Sequence, residues 1–181
     1  SFQFMLTIVL IIGTIVVNRQ LHFIRNQKLG FNKEQVLCVR LQGDLNKKLD
    51  LLRNELTKIP EVTSVSGASH PPSQIRTSTI ISEWEGRDSD DQFLMYLLSA
   101  DHDFLNTMEI EMGQGRYFSR ELKTDTSEGI IVNEAAIRAM GMKSPLGKKM
   151  SYNRVIGVVK YFHLYCLHSY PEAIQLQALT F

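Results

Sequence analysis

The sequence predicts an α+β fold, in which an N-terminal transmembrane and stalk helix precedes a domain of short strands and helices. Three observations support this prediction. Residues 4–17 form an uncharged apolar run, residues 45–59 carry a helical repeat of leucines, and short strand-like runs separated by polar turns follow residue 76. About 160 residues follow the first 20, enough for one domain or two small subdomains with a core.

The apolar run "FMLTIVLIIGTIVV", residues 4–17, is predicted to be a truncated membrane span. As a helix it covers about 21 Å, and a full span needs about 20 apolar residues. A signal peptide would carry a basic segment before its apolar core, and a soluble amphipathic helix would keep a polar face. Because neither feature is present, a span is favoured over a buried core helix or a signal peptide. We expect the chain to begin inside or just before the span.

The helical pattern continues beyond the run as a stalk, with Val17, Leu21 and Ile24 on one stripe, and should end near Gly30. Basic residues follow the run at Arg19, Arg25, Lys28 and Lys33. By the positive-inside rule they would place the following segment in the cytoplasm. The rule compares both flanks of a span, so these residues alone leave the orientation open.

A strand, helix, strand unit is predicted next. "QVLCVRL" (35–41) alternates like a strand, and "EVTSVSGAS" (61–69) is predicted to be a second strand. The helix between them places apolar side chains on one face, at Leu45, Leu49, Leu52, Leu56 and Ile59. Such a unit predicts a right-handed parallel crossover. The loop "SHPPSQ" (69–74) then separates this part from the rest.

The remaining elements follow in order. "RTSTIISEWEG" (76–86) and "QFLMYLLSAD" (92–101) predict a hairpin, and a short helix is expected around "DHDFLNTM". The strand "GIIVN" leads into the helix "EAAIRAM", with Asn133 as its N-cap and Gly141 at its end. "NRVIGVVKYF" and "AIQLQAL" predict the last two strands.

No catalytic, cofactor or metal site is predicted. "GMKSPLGKK" (141–149) has five residues between its glycines and Lys149 after its first lysine, whereas a phosphate loop needs four residues and then Ser or Thr. "GQGR" (113–116) is interpreted as a turn. Nucleotide binding by this chain is therefore not expected.

Several other polar groups are interpreted as structural. His163 and His168, and the run Asp101, His102 and Asp103, have no sequence feature that predicts convergence on a metal. Ser82 should lie on the opposite face of a strand from Glu83 and Glu85, so no hydrolytic group is expected there. Cys38 and Cys166 have apolar neighbours and are expected to be free, buried thiols. Near-equal numbers of basic (20) and acidic (19) residues give no reason to expect a nucleic-acid partner.

A family resemblance emerges from several segments in order. The first 37 residues resemble the span, stalk and first strand of permease subunits of MacB/FtsX-class ABC transporters, in particular the Bacteroidetes type. "GRYFS", "TSEGIIVNEAAIRAMG", "PLGKKM" and "VIGVVKYFHLYCLH" resemble later family segments in the same order. Tyr161 departs from the acidic residue that usually follows the lysine of "VVK" in the family.

The resemblance implies a porter-like βαβ-containing part at residues 30–75 and 152–181, with an inserted α+β subdomain at 76–151, after a membrane and stalk helix at 1–29. It implies a non-catalytic permease domain in the bacterial inner membrane, with residues after about 30 in the periplasm. Expected partners are an ABC ATPase subunit, a second permease copy or repeat, a periplasmic adaptor and membrane lipid. The alternatives are a periplasmic ligand-sensing domain of a receptor and an anchored hydrolase, and the latter lacks a candidate catalytic pair.

Overall fold

The computed structural model describes residues 2–26, 35–43, 48–71, 74–75, 77–87, 91–122, 124–160 and 172–179. In these residues the helices are α1 Phe2–Asn26, α2 Leu49–Leu56, α3 Phe104–Met108, α4 Thr124–Ser127 and α5 Glu134–Met140. The strands are β1 Ser78–Ile81, β2 Phe93–Ala100, β3 Met112–Gly115, β4 Gly129–Asn133, β5 Lys149–Met150, β6 Asn153–Val159 and β7 Ala173–Ala178. The predicted α+β class, with an apolar N-terminal helix, is confirmed.

The seven strands form one mixed sheet in the order β1-β2-β7-β4-β6-β3, and β5 pairs with β6 outside this path. The pairs β2/β7 and β4/β6 are parallel, and the others are antiparallel. The last strand of the chain, β7, therefore lies between β2 and β4. This central position requires chain segments that are far apart in sequence to meet.

The sheet carries a hydrophobic layer on each face, because successive residues of a strand point to opposite sides. Ile131 of β4 and Leu176 of β7 pack in the layer that contains α3, whereas Ile130 and Val132 pack in the layer that contains α5. All five residues of β4 are buried. A strand with paired neighbours and two covered faces has this near-continuous apolar sequence.

Most elements predicted after residue 76 are present. β1 and β2 form the antiparallel hairpin, with Ile80 opposite Leu94. α3, β4, α5, β6 and β7 also correspond to predicted elements. One prediction was wrong, because residues 113–115 of the expected "GQGR" turn belong to the edge strand β3. The short helix α4 lies between β3 and β4.

The two strands predicted to flank α2 are not formed in this structure. Residues 36–42 have no strand assignment, and Leu37 and Val39 are 86% and 69% exposed. In 61–69 the strand pairing is limited to an isolated bridge from Ala68 to Ala100. A strand requires a backbone partner as well as alternating side chains, and the described residues supply no ladder for 36–42. The predicted parallel crossover is therefore not seen.

The predicted domain division stays a prediction. β1 to β5 come from the segment assigned to the insertion, and β6 and β7 from the segment assigned to the porter-like part. In the structure these strands pair within one sheet.

Candidate functional site

The N-terminal helix α1 has the length and composition to cross a membrane. Its stretch Phe2–His22 contains 21 residues, or about 30 Å of helix, which matches the thickness of a bilayer core. None of the 18 most apolar consecutive residues of this stretch is buried inside the structure. A core helix of a soluble domain would bury at least one face, so the core-helix alternative does not fit.

Two polar side chains in α1 are satisfied within the helix itself. The Thr7 hydroxyl donates to the Gln3 carbonyl at 2.9 Å, and the Thr14 hydroxyl donates to the Leu10 carbonyl at 2.8 Å. Bonding to the carbonyl four residues earlier removes the need for a water partner. α1 is therefore compatible with a lipid environment along its apolar stretch.

The helix also continues past the apolar run, as the stalk prediction required. α1 extends through Arg19 to Asn26 without interruption. The predicted continuation of the helix is confirmed to that residue, and its expected end at Gly30 lies outside the described residues.

The glycine and lysine segment at 141–149 has a structural role. Gly141 ends α5 in the left-handed conformation, with φ 65°, as predicted. Lys148 donates to the Glu85 carboxylate at 2.5 Å, and this hydrogen bond lowers the pKa of Glu85 below its usual value. Lys148 is thus paired with a carboxylate.

Candidate metal ligands do not gather in the described part of the chain, where no group of three or more His, Cys, Asp or Glu side chains could hold an ion. His163 and His168 lie outside the described residues. A shallow cleft of about 300 Å³ opens where β2, β4, β6 and β7 begin or end. The polar side chains that line it among the described residues are uncharged: Ser99, Thr126, Ser127, Asn153 and Gln177.

Asp101 and Asp103, from the predicted acidic run, converge on Arg53 of α2. Arg53 donates to Asp101 Oδ2, and its Nε lies 3.4 Å from Asp103 Oδ2. The Tyr117 hydroxyl donates to the Asp101 backbone carbonyl at 3.0 Å. Burial raises the pKa of Tyr117, so the phenol keeps its proton. Sequence reasoning found the acidic run but missed Arg53, which is 48 residues away from Asp101.

A second ion pair joins the "GRYFS" segment to α4. Arg116 donates from both terminal nitrogens to Asp125, each at 2.6 Å, and the Ser119 amide donates to the same carboxylate at 2.8 Å. The Asp125 side chain is 1% exposed. The hydrogen bond from Arg116 lowers the pKa of Asp125 below its usual value of 3.8. This pair was not predicted, because nothing local in the sequence relates the two residues.

Replacing Asp125 with Asn should reduce stability in a pH-dependent way. A carboxyl whose folded-state pKa is below its unfolded value stabilises the fold above the unfolded value, and this contribution disappears as pH falls through the folded value. We expect a loss of about 2 kcal/mol at neutral pH that shrinks below about pH 4. Urea unfolding at several pH values measures it. The exposed Glu111→Gln variant is the control and should change little; a loss independent of pH would contradict the assignment.

Asn133 joins α5 to β7. Its Oδ1 accepts hydrogen bonds from the Ala136 amide at 2.9 Å and the Ile174 amide at 3.0 Å, and its Nδ2 donates to the Glu172 carbonyl at 2.8 Å. The predicted N-cap is therefore confirmed. The hydrogen bonds to Glu172 and Ile174, at the start of β7, could not be predicted from the cap pattern.

Cys38 differs from its prediction. It is free and exposed, although its apolar neighbours predicted burial. The reason is that residues 36–42 do not pair into the sheet, and residues 37–40 are exposed. Cys166 lies outside the described residues.

Comparison with known proteins finds a similarity to solved structures. No family model and no curated protein matches the sequence. The chain is similar to the periplasmic region of MacB from Actinobacillus actinomycetemcomitans, with 20% identity and a TM-score of 0.45 over 70% of this chain and 52% of that one. It is also similar to the extracellular domain of the ABC-type transporter YknZ from Gram-positive bacteria, with 14% identity and a TM-score of 0.39 over 57% and 55%.

The chain spans about half the length of each matched structure, 52% of one and 55% of the other.

Proposed function

We propose that this chain is a membrane helix and extracytoplasmic domain of a permease subunit of a MacB/FtsX-class ABC transporter. Its role is to pass ATP-driven movement to the periplasm, for export or another envelope process. The observation that carries the proposal is α1, an apolar helix without buried residues in its span that continues past Arg19 to Asn26. The ordered motifs from "GRYFS" to "VIGVVKYFHLYCLH" support the same class.

A continuous helix suits mechanical transmission. A glycine-rich linker behaves as a flexible coil and cannot transmit a displacement, whereas a helix is stiff over several turns. α1 continues for four residues beyond the apolar stretch that ends at His22. Movement of the span would therefore carry at least the first turn of the stalk with it.

The proposal includes the arrangement around the chain. Residues 1–29 form the span and stalk in the inner membrane, and residues after about 30 lie in the periplasm, divided into parts 30–75 with 152–181 and 76–151. The ATPase is a separate or fused cytoplasmic domain. A second permease copy or repeat and a periplasmic adaptor complete the assembly. The chain itself has no catalytic role.

The exposed thiol of Cys38 provides a test of location. In spheroplasts that express the permease with Cys166→Ser, a membrane-impermeant maleimide should label Cys38, because this side chain is free, exposed and placed after the span. Labelling should be equal before and after lysis, and Cys38→Ser should abolish it. Labelling that requires lysis would place the domain in the cytoplasm and overturn the proposed location.

A glycine insertion tests mechanical transmission. Adding Gly-Gly after Gln20 should leave ATPase activity near the intact level while transport-dependent growth is lost. Each glycine costs the helix about 1 kcal/mol and adds backbone freedom. ATPase rate and growth are compared in cells with equal amounts of permease in the membrane.

The matched control inserts Ala-Ala at the same position. It gives the same added length and the same rotation of about 200° but preserves the helix. Transport should survive better with Ala-Ala than with Gly-Gly. If Gly-Gly leaves transport undiminished, α1 is only an anchor, and a ligand-sensing role becomes the better hypothesis.

A further inference from the structure

The short helix α2 cannot maintain itself without contacts to the rest of the domain. It contains eight residues, and within the described structure its N-cap residue Lys48 makes no side-chain capping hydrogen bond. An isolated helix of this length is not stable in water even with a favourable sequence. The contacts that α2 makes with the domain therefore decide whether it forms.

The fully buried apolar contact of α2 lies in its first turn. Leu49 is its one buried residue, and Leu51 is 58% exposed. Leu49 packs directly on the backbone of Gly67, where an added Cβ would come closer than 3.0 Å to the leucine side chain. Leu52 and Leu56, from the predicted apolar face, are half-buried.

The second contact is made by Arg53, one turn further along α2. Its guanidinium donates to Asp101 Oδ2, and its Nε donates to the Val65 carbonyl at 3.3 Å. The side chains of Arg53 and Asp101 are 13% and 7% exposed. Salt and water therefore screen this ion pair less than an exposed one.

Asp101 has other partners that do not belong to α2. Its Oδ2 accepts from the Gly67 amide at 2.6 Å, and its Oδ1 accepts from the Asp103 amide at 3.1 Å. The carboxylate would therefore keep two hydrogen bonds if Arg53 moved away. The domain side of the contact is held in place independently of α2.

We propose that Arg53 is a clamp that holds α2 on the domain, and that α2 can detach while the sheet stays folded. This inference goes beyond the transport role and does not depend on it. Detachment breaks the bonds of Arg53 to Asp101 and Val65 and separates Leu49 from Gly67.

Hydrogen exchange followed by mass spectrometry tests the clamp on the intact chain in detergent micelles. In Arg53→Met, the amides of residues 53–57 should exchange at least about tenfold faster than in the wild type, because the local opening of α2 becomes easier. The amides of β2, β4 and β7 should exchange at the wild-type rate. Lys58→Met is the matched control: it removes an exposed pair with Glu55, 2.7 Å apart, beside the same helix, and should change neither set.

Two results would overturn the proposal. One is unchanged exchange of residues 53–57 in Arg53→Met; the other is an equal acceleration of α2 and the sheet, which would make the ion pair part of global stability. If Arg53→Met does not fold, Arg53→Lys is judged by the same criteria. Lysine keeps the charge but loses the planar fork that reaches several acceptors, so it should give a smaller, still local acceleration.

Discussion

Replacing Asn133 with Ala is expected to lower the free energy of unfolding by about 4 kcal/mol. The side chain is fully buried and makes three hydrogen bonds, to Ala136, Ile174 and Glu172. Loss of an N-cap alone costs about 1 kcal/mol, and each buried backbone group left without a partner costs about 1 to 3 kcal/mol. For a chain of this size, the melting temperature should fall by about 10 °C.

The matched control for this prediction is Asn133→Ser. Serine can still cap α5 through the Ala136 amide, but its shorter side chain gives up the bonds to Ile174 and Glu172. The free energy of unfolding of the serine variant should therefore lie between the values of the wild type and the alanine variant. Thermal and urea unfolding, followed by circular dichroism on the intact chain in detergent, measure all three. If the free energy of unfolding of the alanine variant falls by less than about 1 kcal/mol, the hydrogen bonds of Asn133 between α5 and β7 do not stabilise the fold.

Replacing Gly157 with Ala is expected to be similarly damaging, because β3 and β6 approach closely at this point. A Cβ on Gly157 would lie closer than 3.0 Å to the Arg116 carbonyl oxygen and 2.9 Å from Met112 Cε. Gly115, opposite Gly157 in the sheet, has φ 73° and would also collide with backbone if it carried a Cβ. Overpacking of this kind costs about 1 to 3 kcal/mol, and more where backbone must move. We expect Gly157→Ala to lower the free energy of unfolding by about 3 kcal/mol. The amides of β3 should also lose their protection from hydrogen exchange.

Gly113→Ala is the control for Gly157→Ala. Gly113 lies on β3, the strand that pairs with β6 beside Gly157, but its added Cβ would stay 3.4 Å from its nearest neighbour, the Val158 carbonyl oxygen. This variant should lose less than about 1 kcal/mol. Urea unfolding and hydrogen exchange of residues 112–116 compare the two. Equal losses would show that the close approach at Gly157 has no special cost.

Local patterns predicted a large part of the fold. The uncharged run predicted α1, which is exposed in its apolar stretch as a span requires. Asn133 and Gly141 correctly marked the two ends of α5. The alternating runs around residues 80 and 95 predicted the hairpin β1/β2. These features depend on residues within a few positions of each other, which a sequence displays directly.

The same local patterns failed where a distant partner was needed. Residues 35–41 alternate like a strand but lack a paired backbone, so Cys38 is exposed instead of buried. The glycines of "GQGR" indicated a turn, yet they allow β3 to approach β6 closely. The pair Arg116 and Asp125 and the clamp at Arg53 also escaped prediction, because charged residues on different elements carry no local signal of their contact.

The sequence by itself determined the apolar helix, its continuation beyond the apolar run and the ends of α5. Only the tertiary structure decided the strand order, with β7 between β2 and β4, the second role of Asn133 and the partner of Arg53. The physical reason is the distance along the chain over which each interaction acts. Helix propensity, capping and turn chemistry act over a few residues, whereas sheet pairing and buried ion pairs depend on which distant backbone and side-chain groups the whole fold brings together.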